Sequence, residues 1–511
     1  MTSVLTGLLS SLVIVAYRIA IGLAEEFKMS MANATRHSLL ILAAWTGLAL
    51  LAGGATWFLV KRAPLIKGSG IPQVKAFLLR RISFNWKREL PGKFIGGTLA
   101  LGAGLSLGRE GPSIQLGALV GHAIEDLSHR HDYRRYLATA GAAAGISAAF
   151  NAPLAGVLFC IEELHRNFSP TMLTVSMISS FTANAVMWLF FGTEPVFELS
   201  ILQVIPLKYY FTIVLVTGIA AGVLGSLFNR GLLAFQRGFR NLVKLEPARL
   251  LIAFAVAAIL SIVIPDITGG GHHLVSASLM EEKTALALGA LLAGKLVFTL
   301  FSYASGAPGG IFLPMLAIGA VLGGFINTAA TSLELYSPAI SYLPNLMLLG
   351  MTGFFVAVVR APITGAVLIT EMAGNFAHFP AFIFISLVAS ITASLLKTEP
   401  IYDSLLAQIA PAAHEEESRA VMLYIPWFEG ASCRTVKELR SSLPAHCILT
   451  GVMRGETRLF PNEELAFCPG DELLIETTMH HAQKYKEHLL LLCKGREDHE
   501  QPVARSPGTI A

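Results

Sequence analysis

Three short segments place glycine and proline inside long apolar stretches, where backbone amides become available to a ligand. They are Gly68–Pro72 (GSGIP), Gly108–Pro112 (GREGP) and Gly309–Pro314 (GGIFLP). Glycine and proline at this density interrupt a helix. In lipid, an interrupted helix is tolerated only where its freed backbone groups are buried in protein or line an aqueous cavity. Because amides at the start of the next helix attract anions, the three segments predict an anion site.

The helices around these breaks must cross a membrane. Of the 511 residues, 54% are hydrophobic and only 14% are charged, and the mean hydropathy is +0.61. This composition is too apolar for an ordinary soluble protein, and it predicts a polytopic protein in a lipid bilayer. Apolar runs of spanning length are Val4–Ala24, Leu39–Val60, Tyr210–Leu227 and Leu250–Ile264.

The basic residues indicate the orientation of the chain. The segment from Lys61 to Lys93 contains nine lysines and arginines against one acidic residue, Glu89. The positive-inside rule places this segment on the cytoplasmic side, and Ser69 with it. Because orientation accounts for these charges, they predict no nucleic-acid partner.

An internal repeat relates the two halves of the apolar region. The segments Ala152–Gly156 (APLAG) and Ala361–Gly365 (APITG) each lead to a glutamate nine residues after the proline, Glu162 and Glu371. A second pair of Gly/Ala-rich segments follows the prolines of the second and third breaks at equal spacing, namely Leu116–Gly121 and Ile318–Gly323. Broken helices in corresponding halves predict a site at the bilayer midplane between two repeats.

Composition changes near residue 410, where the chain becomes polar. The expected domains are a membrane domain at 1–410 with repeats at approximately 1–200 and 205–400, an acidic linker at 411–420, a small α/β domain at 421–495 and a disordered tail at 496–511. Within the α/β domain, the pattern predicts a helix, a turn and three strands, at Thr435–Leu443, Pro469–Asp471, Val421–Phe428, Cys447–Met453 and Asp471–Thr478.

The three breaks, in this order and followed by Tyr402 in Glu399–Tyr402 (EPIY), resemble the CLC family of chloride channels and transporters. The resemblance covers about residues 1–410. It implies an all-α CLC fold of two inverted repeats, a homodimer with an anion path in each subunit, bound chloride ions and no cofactor. It also implies a multi-pass protein of the inner (plasma) membrane.

The C-terminal segment Cys447–Thr478, with Arg454–Glu456 and Pro469–Asp471, is similar to the TrkA C-terminal (RCK-C) module. That similarity implies a cytoplasmic domain that responds to a small-molecule ligand.

The CLC resemblance assigns four residues to chloride. Ser69 and Tyr402 would contribute hydroxyls, and Ile311 and Phe312 would contribute backbone amides at a helix N-terminus. Without the resemblance, Ser69 would be read as a helix cap and Tyr402 as an interfacial aromatic residue. Neutral donors suit transport, because the ion must be bound and then released.

Glu110 is the expected gate and external proton carrier. An ionised carboxylate beside an anion site competes for the same amides, and a protonated one releases them. The alternative is an ion pair with the adjacent Arg109.

Glu163 is expected to be the internal proton acceptor. In the CLC family the matching position is a glutamate in exchangers and typically apolar in channels. Glu162 is the better structural carboxylate, since it pairs with Glu371 in the repeat. The alternative is that both Glu162 and Glu163 end a helix in water. The sequence therefore favours a chloride/proton antiporter; a passive voltage- or pH-gated CLC channel is the second hypothesis, and a membrane-anchored ligand sensor is a third, weaker one.

Three other sequence patterns are weaker evidence for function. Gly104–Gly108 (GLSLG) matches a hydrolase nucleophile elbow, but we place it in a transmembrane helix with no histidine near Ser106, so no enzyme is expected. His272 and His273 follow three glycines in an apparent loop and lack a third ligand, so no metal site is expected. Lys93 either raises the potential near the anion path or is an interfacial snorkelling lysine.

Overall fold

The computed structural model describes two compact units, Met1–Ala410 and Pro411–Ala511. The described residues are 1–35, 39–128, 134–194, 207–280, 283–335, 342–410, 420–429, 431, 433–444, 447–455 and 457–494. The predicted linker therefore lies outside the described residues, apart from Ala420, and so does the predicted tail.

The first unit is helical. Its α-helices, in order, are α1 Thr2–Thr35, α2 Leu39–Arg62, α3 Ile71–Leu78, α4 Trp86–Gly102, α5 Glu110–Ser128, α6 Arg134–Phe150, α7 Pro153–Phe159, α8 Pro170–Phe191, α9 Leu207–Leu242, α10 Glu246–Val263, α11 His272–Met280, α12 Ala285–Ala304, α13 Phe312–Ser332, α14 Leu343–Val359, α15 Pro362–Ala373, α16 Phe379–Leu395 and α17 Ile401–Ile409. A π-helical turn, Cys160–His165, follows α7.

Within the described ranges, eight helices are long and apolar enough to cross a membrane. The four runs noted in the sequence lie in α1, α2, α9 and α10, and α1 and α9 extend well beyond them, with 34 and 36 residues. The predicted all-α membrane part is confirmed.

The Gly/Ala-rich repeat segments lie at two equivalent helix crossings. In the first, α5 meets α6 so closely that a methyl group on Gly117 would overlap the carbonyl oxygen of Gly141. In the second, α13 meets α14, and a methyl group on Gly319 would overlap the carbonyl oxygen of Gly350. Small residues let helix backbones approach in this way inside a membrane protein, which explains why both repeats keep glycine at matching positions.

Glu162 and Glu371 each cap the N-terminus of a helix in the other repeat. Glu162 accepts hydrogen bonds from the amides of Ile363 and Thr364 at 3.1 and 2.7 Å, at the start of α15. Glu371 accepts from the amides of Leu154 and Ala155 at 3.0 and 2.8 Å, at the start of α7. A carboxylate at a helix N-terminus satisfies amides that have no intrahelical partner, so these contacts agree with the structural role predicted for Glu162.

The second unit is a small antiparallel sheet with helices. Strands β1 Ala420–Pro426, β2 Ile448–Arg454, β3 Thr457–Leu459 and β4 Asp471–Thr478 are arranged in the order β1-β4-β2-β3. Helix α18, Val436–Ser442, begins after Thr435, whose hydroxyl accepts from the Glu438 amide at 3.3 Å. The three predicted strands and this helix are confirmed. The sequence analysis missed β3 and the final helix α19, Met479–Lys494.

The predicted turn before β4 is held by an ion pair between a buried carboxylate and a half-exposed arginine. Arg454 donates to both carboxylate oxygens of Asp471, at 2.9 and 2.8 Å, and the Cys468 amide donates to the same carboxylate at 2.8 Å. The hydrogen bonds from Arg454 lower the pKa of Asp471. Because the folded-state pKa is lowered, this contact stabilises the fold at neutral pH and its contribution is lost as the pH falls through that lowered pKa.

Candidate functional site

Backbone hydrogen bonds join the three helix breaks to one another. The Gly68 amide donates to the Ala307 carbonyl at 3.2 Å, and the Gly309 amide donates to the Gly68 carbonyl at 3.0 Å. Gly108 and Gly310 exchange two hydrogen bonds, of 2.6 and 2.8 Å. The segment that precedes α13 therefore lies between the segments that precede α3 and α5, and much of the backbone freed by the breaks is satisfied.

The first turns of α3, α5 and α13 meet beside this pairing. A methyl group on Gly111, in the first turn of α5, would overlap the Ser69 hydroxyl and lie 3.3 Å from the Gly310 Cα atom. Gly70, which precedes α3, has a φ of 97°, a conformation that favours glycine. Since the first amides of a helix have no intrahelical acceptor, the convergence concentrates positive dipole ends in one region.

Lys93 stabilises the backbone of the first break through hydrogen bonds. Its ammonium group donates to the carbonyls of Ile66 and Gly68, at 2.9 and 2.6 Å, and the side chain is fully buried. The interpretation of Lys93 as an interfacial snorkelling residue is therefore wrong. Its amino group therefore contacts Gly68, the residue directly before Ser69.

Ser69 and Tyr402 bring two buried hydroxyls together from distant parts of the chain. Ser69 precedes α3 and Tyr402 lies in the first turn of α17, and these two helices pack against each other. Ser69 is a neighbour of the Tyr402 hydroxyl, and neither hydroxyl oxygen has a hydrogen-bond partner among the described residues. An unpaired buried hydroxyl costs about 1–3 kcal/mol, so a ligand that accepts hydrogen bonds would be stabilised here.

Ile311 and Phe312 lie at the start of α13, as the sequence predicts. Ile311 is the N-cap residue and Phe312 begins the helix. The Phe312 ring packs against Phe150, Phe159 and Phe355, with ring centroids 5.0, 6.1 and 4.8 Å away. These apolar contacts hold the helix N-terminus in place without using its amides.

Glu110 is the first residue of α5, and its side chain lies beside the N-terminus of α13. Its side chain is 1% exposed, and its carboxylate interacts with the amides of Leu313 and of Glu110 itself. Arg109 comes only to 3.8 Å from Oε1, and Oε2 has no hydrogen-bond partner among the described residues. The carboxylate is therefore held by the charge of Arg109 and by backbone amides at the starts of α5 and α13, so the ion pair with Arg109 is present beside the amide contacts.

Two cavities, each of about 360 Å³, reach this region. One is lined by Gly108, Arg109 and Leu313, which surround Glu110. The other is lined by Gly68 and Tyr303, which adjoin Ser69. Each cavity thus reaches the sequence neighbour of a candidate ion-binding residue, Arg109 beside Glu110 in the first and Gly68 beside Ser69 in the second.

The Glu163 side chain is buried, and its contacts differ from those of Glu162. The two glutamates share the π-helical turn, in which an extra residue changes the direction of successive side chains. Glu163 is 1% exposed and forms an ion pair with Lys75 of α3 at 2.8 Å. The alternative in which both glutamates end a helix in water is therefore wrong.

The two other weaker sequence patterns, GLSLG and the histidine pair, differ in the structure from what we expected. Ser106 lies in the break between α4 and α5, not in a transmembrane helix as we expected, and its hydroxyl hydrogen-bonds to that of Thr299 at 2.8 Å. His272 and His273 are the first two residues of α11 and do not lie in a loop. The chain turns at the glycines before them, and the helix begins directly after that turn. A search of the described ranges finds no cluster of three or more metal-ligating side chains.

Sequence reasoning missed three residues of this region. Tyr303, at the end of α12, is buried and interacts with Tyr402. Lys75 was read only as an orientation charge, and Asp403 was not singled out, although it directly follows Tyr402. The available signal was that Lys75 follows the GSGIP break at helical spacing, which places it one turn into α3.

The chain is similar in sequence to a known family and to named proteins. The sequence pattern of a family described as "Voltage gated chloride channel" matches residues 47–394. A relative from Vibrio campbellii, named H(+)/Cl(-) exchange transporter ClcA, is 35% identical over 415 residues, covering 79% of this chain and 87% of the relative. A protein of the same name from Cronobacter sakazakii is 36% identical over 433 residues, covering 81% of this chain and 90% of the relative.

Solved structures are similar to this chain as well. A crystal structure of a slow cyanobacterial Cl-/H+ antiporter superposes with a TM-score of 0.76 at 30% identity, covering 81% of this chain and 98% of that one. A CLC-type fluoride/proton antiporter superposes with a TM-score of 0.66 at 22% identity, covering 78% and 95%; at that identity the likeness concerns the fold alone. These likenesses confirm the predicted fold of the membrane unit, whereas the similarity of the C-terminal unit to the TrkA module stays a prediction.

Proposed function

This chain belongs to the CLC family of chloride channels and transporters and is a multi-pass membrane protein, and from that premise we propose that it is a proton-coupled chloride antiporter. One observation carries the proposal. Two carboxylates that are each 1% exposed, Glu110 and Glu163, approach the pair of buried hydroxyls. Glu110 precedes Gly111, which lies against Ser69, and Glu163 contacts Lys75, which also contacts the residue after Tyr402. Coupled exchange needs a place where a proton-carrying group and the anion affect each other, and these hydroxyls provide that place.

Chloride binds, in this proposal, between the Ser69 and Tyr402 hydroxyls and the amides of Ile311 and Phe312. The support is the two unpaired buried hydroxyls and the helix N-termini that converge beside them. Partial charges bind an anion without the full charge of a lysine or arginine, so that the ion is desolvated and still released.

Glu110 acts as the gate and external proton carrier. Its ionised carboxylate interacts with the Leu313 amide, and so competes with chloride for the N-terminus of α13. Protonation removes the charge that these amides attract, which frees them for the anion. Opening of the path and uptake of a proton are then one event.

Glu163 acts as the internal proton acceptor. Its side chain is 1% exposed and does not line the cavity that reaches Gly68, which supports separate routes for protons and chloride. A passive channel would need only the anion route and gives no use to a second buried carboxylate at this position.

The relatives from Vibrio and Cronobacter bear the name of an H(+)/Cl(-) exchange transporter, and this supports the same activity here. We further propose a homodimer in the inner membrane, with the basic Lys61–Lys93 segment and the C-terminal unit in the cytoplasm. We also propose that the C-terminal unit binds a small-molecule ligand.

The decisive experiment uses proteoliposomes of the purified protein under an imposed chloride gradient, with the membrane voltage held at zero by potassium and valinomycin. We expect protons to move against their own gradient. Chloride flux without proton movement would reject the antiporter in favour of the passive channel.

Glu163→Ala tests the internal proton acceptor in the same assay. We expect proton movement to fall to background while chloride flux persists, because the anion route does not include this side chain. Glu26→Ala, which removes an exposed glutamate of α1, is the matched control and should keep both fluxes. Unchanged proton coupling in Glu163→Ala would remove the residue from the mechanism.

A further inference from the structure

Asp403 closes a ring of alternating charges around Glu163. The Lys75 ammonium lies 2.8 Å from Glu163 Oε1 and 2.7 Å from Asp403 Oδ1. The Arg166 guanidinium lies 2.6 Å from Asp403 Oδ2 and 3.6 Å from Glu163 Oε2. Each cation therefore contacts both carboxylates, and each carboxylate contacts both cations.

The ring is graded in exposure. The side chains of Glu163 and Lys75 are 1% and 6% exposed, whereas those of Asp403 and Arg166 are 28% and 47% exposed. Lys75 is thus the buried cation that the two carboxylates share, and Asp403 is the carboxylate closer to solvent.

We propose that Asp403 and Lys75 are positioning residues that set, in opposite directions, the pH at which Glu163 takes up a proton; this rests on the proposed role of Glu163. With Glu163 ionised, the ring holds two positive and two negative charges. When Glu163 is protonated, both cations still have Asp403 as a partner, and one positive charge is in excess. Asp403 limits the cost of that excess, since a buried cation left without a partner is strongly destabilising.

Among the described side chains, the charged groups that act on Glu163 all belong to the ring. The charges that act on Glu163 are those of Lys75, Arg166 and Asp403. On the neighbouring α6, Arg135 acts on His165, and His165 itself hydrogen-bonds to Thr139 at 2.7 Å. Helices α7 and α8, which also pack here, contain no Asp, Glu, Lys, Arg or His.

The two substitutions have opposite expected effects. In Asp403→Asn, protonation of Glu163 would leave two buried or half-buried cations unpaired, so proton transport should require a lower pH. In Lys75→Gln, ionised Glu163 loses its closest cation, so protonation becomes easier and proton transport should persist to a higher pH. Removing an opposite charge at this distance shifts a carboxylate titration by about one pH unit or more.

The test measures proton flux and chloride flux in proteoliposomes while the pH is varied on the side that Asp403 faces. We expect the half-maximal pH of proton flux to fall in Asp403→Asn, to rise in Lys75→Gln and to return toward the unsubstituted value in the double variant. Lys75→Arg, which keeps the charge, should restore the profile. Lys87→Gln, which removes an exposed lysine of α4, should leave it unchanged.

The outcomes separate this inference from the proposed function. Persistent coupling in Glu163→Ala would overturn the role of Glu163 and the inference with it. Loss of coupling in Glu163→Ala, combined with shifts of the same sign or no shift in the two variants, would overturn the inference alone. Should Lys75→Gln fail to reconstitute, as judged by absent chloride flux, the comparison of Asp403→Asn with Asp403→Glu decides: the shift to lower pH must appear in the first and not in the second.

Discussion

At the scale of single residues, the position of Glu110 suggests how one side chain can serve both ions. Its carboxylate interacts with the Leu313 amide, and its second oxygen has no protein partner among the described residues. It is thus held by a backbone amide, the kind of donor that would hold chloride, and by the charge of Arg109 at 3.8 Å. A side chain held in this way can be displaced when its charge is removed.

Glu110→Gln and Glu110→Ala test this directly. Both remove the charge that competes for the α13 amides and the group that carries the proton, so chloride flux should persist while proton movement falls to background. Parallel measurements of chloride efflux and proton uptake in proteoliposomes, with Glu26→Ala as control, provide the readout. Proton transport that stays coupled in either variant would refute the assignment.

At the scale of secondary-structure elements, glycines fix how the helices of each repeat cross. Gly117 on α5 leaves no room for a methyl group beside α6, whereas Gly47 on α2 has no atom within 4 Å of the corresponding position. In an open helix position, Gly→Ala is stabilising by about 1 kcal/mol. At a tight crossing the same methyl group forces the backbones apart, at a cost of about 1–3 kcal/mol or more.

We therefore expect Gly117→Ala to lower the thermal unfolding temperature of the purified protein and Gly47→Ala to leave it unchanged or raise it. Both variants add one methyl group to a membrane helix, so the comparison isolates the crossing. Equal unfolding temperatures for the two variants would mean that α5 and α6 can separate without loss, contrary to the packing described here.

The elements that could be predicted from sequence are those specified by local signals. The helix breaks follow from Gly/Pro pairs such as Gly111–Pro112, and the repeat follows from the equal spacing of glutamates and glycines. The ring around Glu163 could not be predicted, because Lys75 and Asp403 are 328 residues apart and meet only when α3 packs on α17. Helix α19 was missed because its sequence is polar, with few apolar residues to mark a buried face before its Leu-rich end.

At the scale of the whole molecule, the candidate transport residues all belong to one unit. Ser69, Glu110, Glu163, Phe312 and Tyr402 lie within Met1–Ala410, and the family pattern ends at residue 394. The second unit has a hydrophobic core of its own, centred on residues such as Val436 and Leu473. A unit with its own core is expected to fold as a separate domain.

A chain ending after Ala410 should therefore insert, fold and exchange chloride for protons with the same dependence on Glu110 and Glu163 as the full chain. The reason is that ion binding, gating and proton uptake are all assigned to groups that this chain retains, so the second unit is not required for the chemistry. Chloride-driven proton movement in proteoliposomes, compared with the full chain at equal protein density, measures this. A truncated protein that is monodisperse in detergent yet carries neither ion would show that transport depends on the second unit. Exchange at an altered rate would instead assign the second unit a regulatory effect on an intact site.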